Sequence, residues 1–363
     1  VMEGAGEDPY LGSLVAKARV HGFQGDNLND INTIVACAKH FAGYGFSEAG
    51  RDYNTTDFNQ YTLHNTIMPP FKAAVDAGVR TFMNSFNTLD EIPATGHKHI
   101  QRDILKGDWS FDGFIVSDWG SIDQMIPHGF ARNGKHAAEL AVLAGSDMDM
   151  ESSLYVSQLV GLVESGNIAE ELLNDAVRRI LRVKYELGLF EDPYKYCNKE
   201  RSDSELASDE NMSVALDAAK KSIVLLKNNN QLLPLEKEGE KIAIIGPLAN
   251  DKNSPLGNWR SQAVYNSAIS VVEGMDKYNG NKTIFEKGVD LYYGKTNFHN
   301  RVKINYDDRS DFSKAKFAAA NSDVVIMVLG EEGNQSGEGR SRTNIGLPGL
   351  QLELLKEISK VNN

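Results

Sequence analysis

The run Gly113-Phe114-Ile115-Val116-Ser117-Asp118-Trp119-Gly120 sets an acid beside a large aromatic where a short apolar strand stops. A carboxylate at the end of a buried strand suits chemistry, because the strand fixes its position and the loop that follows can close a pocket around it. Asp118 would equally serve as a cap for the helix that starts near Ser121. Trp119 offers a flat apolar face of the kind that packs on a sugar ring, and ordinary core packing is its other reading. A second strand-like run, Thr33 to Ala38, stops at Lys39-His40, two adjacent donors suited to the hydroxyls of a polyol. A purely structural role for His40 accounts for the pair as well.

A further set of acids, Glu331, Glu332 and Glu338, lies in and beside the glycine-rich loop that follows the apolar run Asp323 to Leu329. Gly333, Gly337 and Gly339 lack the spacing of a dinucleotide fingerprint, and the acids would repel phosphate. His97-Lys98-His99 is a poor metal site, since alternate positions of a helix do not face one way. No metal and no cofactor is expected. Glycoside hydrolysis needs two carboxylates, one to attack the anomeric carbon and one to protonate the departing oxygen. Asp118 and an acid from the Glu331–Glu338 loop would supply them from two different domains.

The elements that must position these groups alternate along the chain. A helix through Leu14, Val15, Ala18 and Val20 ends at Gly22, and the Thr33 strand follows. A helix containing Pro69-Pro70 closes at Ala77-Gly78, then come the run Val79 to Asn84, a helix near His97 to Lys106, the Gly113 strand and a helix from Lys135 to Ala144. Ser146 to Met150 reads as one more strand with acids at its end. Strands separated by helices at this spacing predict βα units and a parallel sheet. Four such units are legible, and a closed barrel needs eight, so the sheet is open or the chain incomplete.

Helices Leu154 to Ser165 and Glu170 to Leu187 complete this half, and the pattern breaks at Gly188 to Tyr194. The second half shows a helix from Met212 to Leu226, a strand Lys241 to Ile245 running into Gly246-Pro247, and a helix Phe312 to Asn321. The Asp323 run reads as a strand covered on both faces, and a helix starts from Gly349. The expected organisation is a domain over 1–190, a linker over 191–210 and a second domain over 211–363.

With 363 residues and 41% hydrophobic content the chain can bury two cores. Its 38 basic and 50 acidic residues give a net charge of -12, which argues against a nucleic-acid or acidic-membrane partner. Cys37 and Cys197 are too few for a disulfide framework and lack metal-ligand spacing. No apolar run approaches the roughly 18–20 residues that span a bilayer. The first residue is Val1 rather than Met, so the lack of a leader says little about location.

The sequence resembles glycoside hydrolase family 3, in particular its bacterial periplasmic β-glucosidase branch. The matching stretches are Glu3 to Tyr10, Lys39-His40-Phe41-Ala42, Met68-Pro69-Pro70-Phe71, Gly113 to Trp119, Val183 to Phe190, Ser222 to Asn228 and Ile244 to Ala249, in family order over nearly the whole chain. The resemblance implies an α/β architecture: a partial (β/α)8 TIM-type barrel followed by a truncated α/β sandwich, as an internal fragment of a longer enzyme. It implies Asp118 as nucleophile and Glu338, ahead of Ser341-Arg342 and Leu347-Pro348, as acid/base. Lys39 and His40 fall on sugar-hydroxyl ligands, Met83 and Phe86 on the lining of the first subsite, and Trp119 on the aromatic beside the nucleophile. The implied activity is retaining, exo-acting hydrolysis of terminal β-D-glucosyl residues from an oligosaccharide or an aryl or alkyl glycoside, in the periplasm or outside the cell. A β-xylosidase and a non-catalytic sugar-binding fragment are the alternatives. The hexosaminidase branch is disfavoured, because no Asp-x-His motif follows Lys39-His40-Phe41.

Overall fold

The computed structural model describes residues 4–260, 262–278 and 280–362. Val1, Glu3 and Asn363, which enter the sequence expectations above, lie outside the described residues. Contacts divide the chain into two compact units, the first running through Met212 and the second starting at Ser213. Both are α/β.

In the first unit, α1 (Pro9–Gln24) starts with proline in its first turn and Asp8 capping it. It is followed by β1 (Cys37–Phe41), α2 (Met68–Asp76), β2 (Thr81–Asn84), the wide-turned helix α3 (His99–Asp108) and β3 (Phe114–Val116). Next come α4 (Gly134–Ala144), α5 (Leu154–Glu164) and α6 (Glu170–Glu186). These three strands form a parallel sheet in the order β1-β2-β3, and the two-residue strands Thr55–Thr56, Thr88–Leu89 and Ile92–Pro93 form a separate mixed sheet. Register places Phe82 beside Ile115 and Met83 beside Val116. Phe82 and Ile115 turn into a core with Ile100, Ile104 and Leu105 of α3. Since successive side chains alternate across a strand, Met83 and Val116 share the opposite face.

Two expected strands are shorter than their apolar runs. The Thr33 run becomes a strand only at Cys37, because Gln24 of α1 reaches between the strand beginnings. Its Oε1 accepts from both Ala36 N and Arg80 N, and its Nε2 donates to the Gly78 carbonyl. Those groups are therefore not offered to a ladder. Ser146 to Met150 is reduced to one parallel bridge between Met148 and Val116, since Asp147 N and Met148 N both donate to the Ile115 carbonyl.

The polar stretch after Gly188 is not featureless. It holds a short helix, Lys199–Glu205, and is tied to the segment after α1: Tyr196 Oη donates to the Leu28 carbonyl at 2.7 Å and Arg201 to the Ile31 carbonyl at 3.1 Å.

Helix α7 (Asp209–Ser222) leads into the second unit, whose elements are β4 (Lys241–Ile245), α8 (Val271–Tyr278), β5 (Lys282–Glu286), α9 (Phe312–Ala320), β6 (Val324–Met327) and α10 (Gln351–Ile358). The sheet is parallel with order β5-β4-β6. Central β4 explains its own composition. Ala243 and Ile245 pack with Ala315, Ala319 and Leu354 on one side, while Ile242 and Ile244 pack with Ala249 and Val272 on the other. Both faces are covered, so the strand is apolar throughout. The edge strand β5 and α8 carry no comparable signal; Lys282-Thr283-Ile284-Phe285-Glu286 stays largely accessible and mixes charge with apolar residues. Gly246 is required where it stands. Its φ is 138° and a Cβ there would lie 2.1 Å from the Val328 carbonyl oxygen.

Candidate active site

All strands of the first sheet run in parallel, so their carboxyl ends bring His40, Asn84, Asp118 and the Met148 segment to one edge. Asp118 follows β3 directly. Its side chain does not cap the next helix, whose N-cap is Gly120 without a side-chain bond. Instead Oδ1 accepts from Trp119 N at 2.7 Å, and Oδ2 lies 3.4 Å from His40 Nε2. The residue is 9% exposed, whereas Trp119 beside it is 63% exposed. The indole stands outward next to the carboxylate and belongs to none of the described core clusters.

The segment after α4 holds this turn in place. Ser117 N donates to the Met148 carbonyl and Gly120 N to the Met150 carbonyl, while Met150 N donates to Ser117 Oγ at 2.8 Å. Behind it, Asp147 accepts from Ile115 N at 2.8 Å and from Lys106 Nζ at 2.7 Å. This pair is almost fully enclosed, with side chains 6% and 3% exposed. Burial pulls the Lys106 ammonium down to about 8 and pushes the Asp147 carboxyl up, each opposed by the partner's charge. Lysine at about 8 still carries its proton at neutral pH.

His40 is the electrostatically distinctive group. Burial, reinforced by the Lys39 charge, lowers its pKa to about 4, against a smaller opposing pull from Asp52. The imidazole is thus neutral at pH 7, and its approach to Asp118 is not an ion pair. Nε2 also lies 3.1 Å from Lys39 Nζ, so it accepts from the ammonium in one tautomer and donates toward Asp118 in the other. The peptides Lys39–His40 and Phe41–Ala42 are both cis.

An aromatic wall adjoins His40. Tyr44 meets its ring edge-on with centroids 5.0 Å apart, and Tyr53 packs on Phe86 at 4.4 Å. Phe86 is buried and Met83 half-buried. Of the expected site residues, Lys39, His40, Met83, Phe86, Asp118 and Trp119 belong to the first unit. Tyr44 and Tyr53 were missed, although the glycine-rich loop Gly43-Tyr44-Gly45 after a strand end was the signal that could have found them.

Glu338 belongs to the second unit, in the loop after β6. Its Oε2 accepts from Trp259 Nε1 at 3.3 Å. Trp259 was not foreseen; a lone tryptophan between Asn258 and Arg260 carries no motif. Among the described residues no group of three or more His, Cys, Asp and Glu is placed to hold a metal ion. No described helix is long and apolar enough to cross a membrane.

The first unit thus places a buried carboxylate at a strand end beside a neutral histidine, and the second unit carries Glu338 on the loop after β6. Profiles of the glycosyl hydrolase family 3 N terminal domain and C-terminal domain match residues 2–183 and 223–363, and the chain belongs to glycosyl hydrolase family 3. It is 38% identical to a periplasmic beta-glucosidase of Salmonella typhimurium, over 97% of this chain and 48% of that one. It is 33% identical to a beta-xylosidase of Formosa agariphila, over 99% of this chain and 50% of the relative. The crystal structure of a Listeria innocua beta-glucosidase mutant in complex with laminaribiose superposes with a TM-score of 0.90 at 38% identity, covering 99% of this chain and 48% of that one. The chain thus spans about half the length of the relatives it matches.

Proposed function

We propose that this sequence belongs to a retaining, exo-acting β-glycosidase that removes terminal β-D-glucosyl residues, with Asp118 as nucleophile and Glu338 as acid/base. The observation that carries the reading is the Asp118 carboxylate itself. It is fixed at a strand end, with one oxygen held by Trp119 N, and it faces an imidazole that is neutral rather than a competing cation. In the first step an Asp118 oxygen bonds to the anomeric carbon as the glycosidic bond breaks, and the leaving oxygen takes the Glu338 proton. In the second step water attacks the same carbon, gives its proton to Glu338 and releases Asp118. Retention needs the two carboxyl groups roughly 5–5.5 Å apart during the reaction. Lys39 and His40 would bind sugar hydroxyls, with Met83 and Phe86 lining the glycone subsite and Trp119 covering a ring face. A β-linked oligosaccharide or aryl glycoside is the substrate class, and a periplasmic or secreted location follows the Salmonella relative. A β-xylosidase is the second reading, supported by the Formosa relative.

The test is kcat/KM on aryl β-glucosides and β-xylosides, measured on the natural full chain carrying this sequence. Asp118→Ala is expected to lose at least about a thousandfold with either sugar, as for removal of a covalent nucleophile. Turnover equal to the wild type would remove Asp118 from the mechanism, and the ratio between the two sugars decides between the readings.

A further inference from the structure

Glu338 is flanked by Gly337 and Gly339, both at positive φ (104° and 66°). Glycines on either side leave a backbone with little intrinsic preference, so something else must hold the acid in place. Arg340 N donates to the Gly337 carbonyl at 3.1 Å, closing a turn with Glu338 at its second position. The guanidinium of the same residue reaches away from the turn. Its Nη2 donates to the carbonyls of Phe298 at 2.6 Å and Asn300 at 2.9 Å, with Asn297 at 3.4 Å. Asn258 supports the turn from below: a Cβ on Gly337 would lie 2.5 Å from Asn258 Cγ, and Asn258 Nδ2 donates to the Gly333 carbonyl at 3.3 Å. Arg342 pairs with Glu331 and ties the two ends of the loop.

We propose that Arg340 is a positioning residue for Glu338, clasping the 297–300 turn so that a glycine-flanked carboxyl is presented in one place. This rests on the reading of Glu338 as acid/base. Arginine suits the task because its long stem delivers fixed donors to a cluster of carbonyls. Without the clasp the Gly337–Arg340 turn keeps its own hydrogen bond but loses its anchor, and proton delivery suffers while the nucleophile is untouched.

The experiment uses kcat/KM, which reports formation of the glycosyl-enzyme, on aryl β-glucosides of graded leaving-group acidity. A 2,4-dinitrophenyl leaving group departs without protonation, whereas phenyl or methylphenyl groups need it. Glu338→Ala is the reference and is expected to lose about a hundredfold or more with the phenyl substrate, yet stay within about threefold on the dinitrophenyl one, with azide restoring its kcat on the latter. Arg340→Met, which keeps the stem and removes the donors, is expected to show the same selectivity at smaller size, about tenfold on the phenyl substrate. Arg340→Lys, which restores a cation, should fall between Met and wild type, and it serves as the test where the Met variant does not fold. If Glu338→Ala shows no leaving-group selectivity, the acid/base reading fails and this inference with it. If Glu338→Ala is selective but the Arg340 variants match wild type, or lose equally on all leaving groups, the clasp is not a positioning device and the inference alone is overturned.

Discussion

At the scale of single residues, His40 stands out because burial keeps its imidazole uncharged. His40 titrates near 4 in the fold and near 6.5 in an unfolded chain. Between those values the unfolded state binds the extra proton and the native state does not, so this group makes stability rise with pH across that window and contributes nothing above it. His40→Asn is therefore expected to flatten the dependence of unfolding free energy on pH between about 4 and 6.5, with a ceiling of about 3 kcal/mol set by the shift. Urea unfolding of both proteins at pH 5 and pH 7 reads this directly. An unchanged slope would mean that the imidazole is hydrated in the native state. The lysine that helps depress His40 was visible as its sequence neighbour, but their mutual effect was not, because burial rather than adjacency is the larger cause.

At the scale of elements, the Asp118 turn is held by what packs behind it. Removing one member of the buried Lys106–Asp147 pair leaves a charge with no partner, which commonly costs about 3–5 kcal/mol. Lys106→Met should show a loss of that order in denaturant unfolding. A Lys106→Met, Asp147→Leu double variant should recover part of it, short of complete because Ile115 N then loses its acceptor. Additive losses would contradict direct coupling. Gly113 marks the entry to β3, where a Cβ would lie 2.1 Å from the Arg80 carbonyl oxygen and 2.6 Å from the Phe111 ring. Gly113→Ala must push β2 and β3 apart and is expected to cost about 1–3 kcal/mol, with activity falling as Asp118 shifts. Wild-type stability in that variant would show that the sheet can slide to make room. Neither requirement could be read from sequence, since Arg80 and Lys106 meet their partners only through strand pairing and helix packing.

At the scale of the whole chain, the segment after α7 presents an uncovered apolar run. Ile223, Val224, Leu225 and Leu226 are all exposed, Leu226 at 91%. Such a run is prone to association. For the 363-residue chain, Leu226→Lys is expected to reduce hydrophobic-dye binding and light scattering while changing unfolding free energy by less than about 0.5 kcal/mol. A larger loss of stability would mean that the leucine is packed in solution. The periodicity that predicts a helix from Met212 through Leu226 is interrupted in fact at Ser222, where the β-branched pair Ile223-Val224 begins.

The sequence by itself determined the parts whose causes are local or periodic. The βα alternation, the apolar runs of β4 and β6, the glycine just past α2 and the acid at the close of the Gly113 run follow from residue pattern, chain direction and turn chemistry. The collinear motifs determined the family. Tertiary structure decided what depends on distant partners: that the 148–150 segment holds the turn at Asp118, that Trp119 stands outward, and that His40 is neutral. It also decided that Gln24 shortens β1 and that Arg340 clasps the 297–300 turn. Each of these is a matter of burial or of a bond between residues far apart in the chain, and neither quantity is carried by the spacing of residue types.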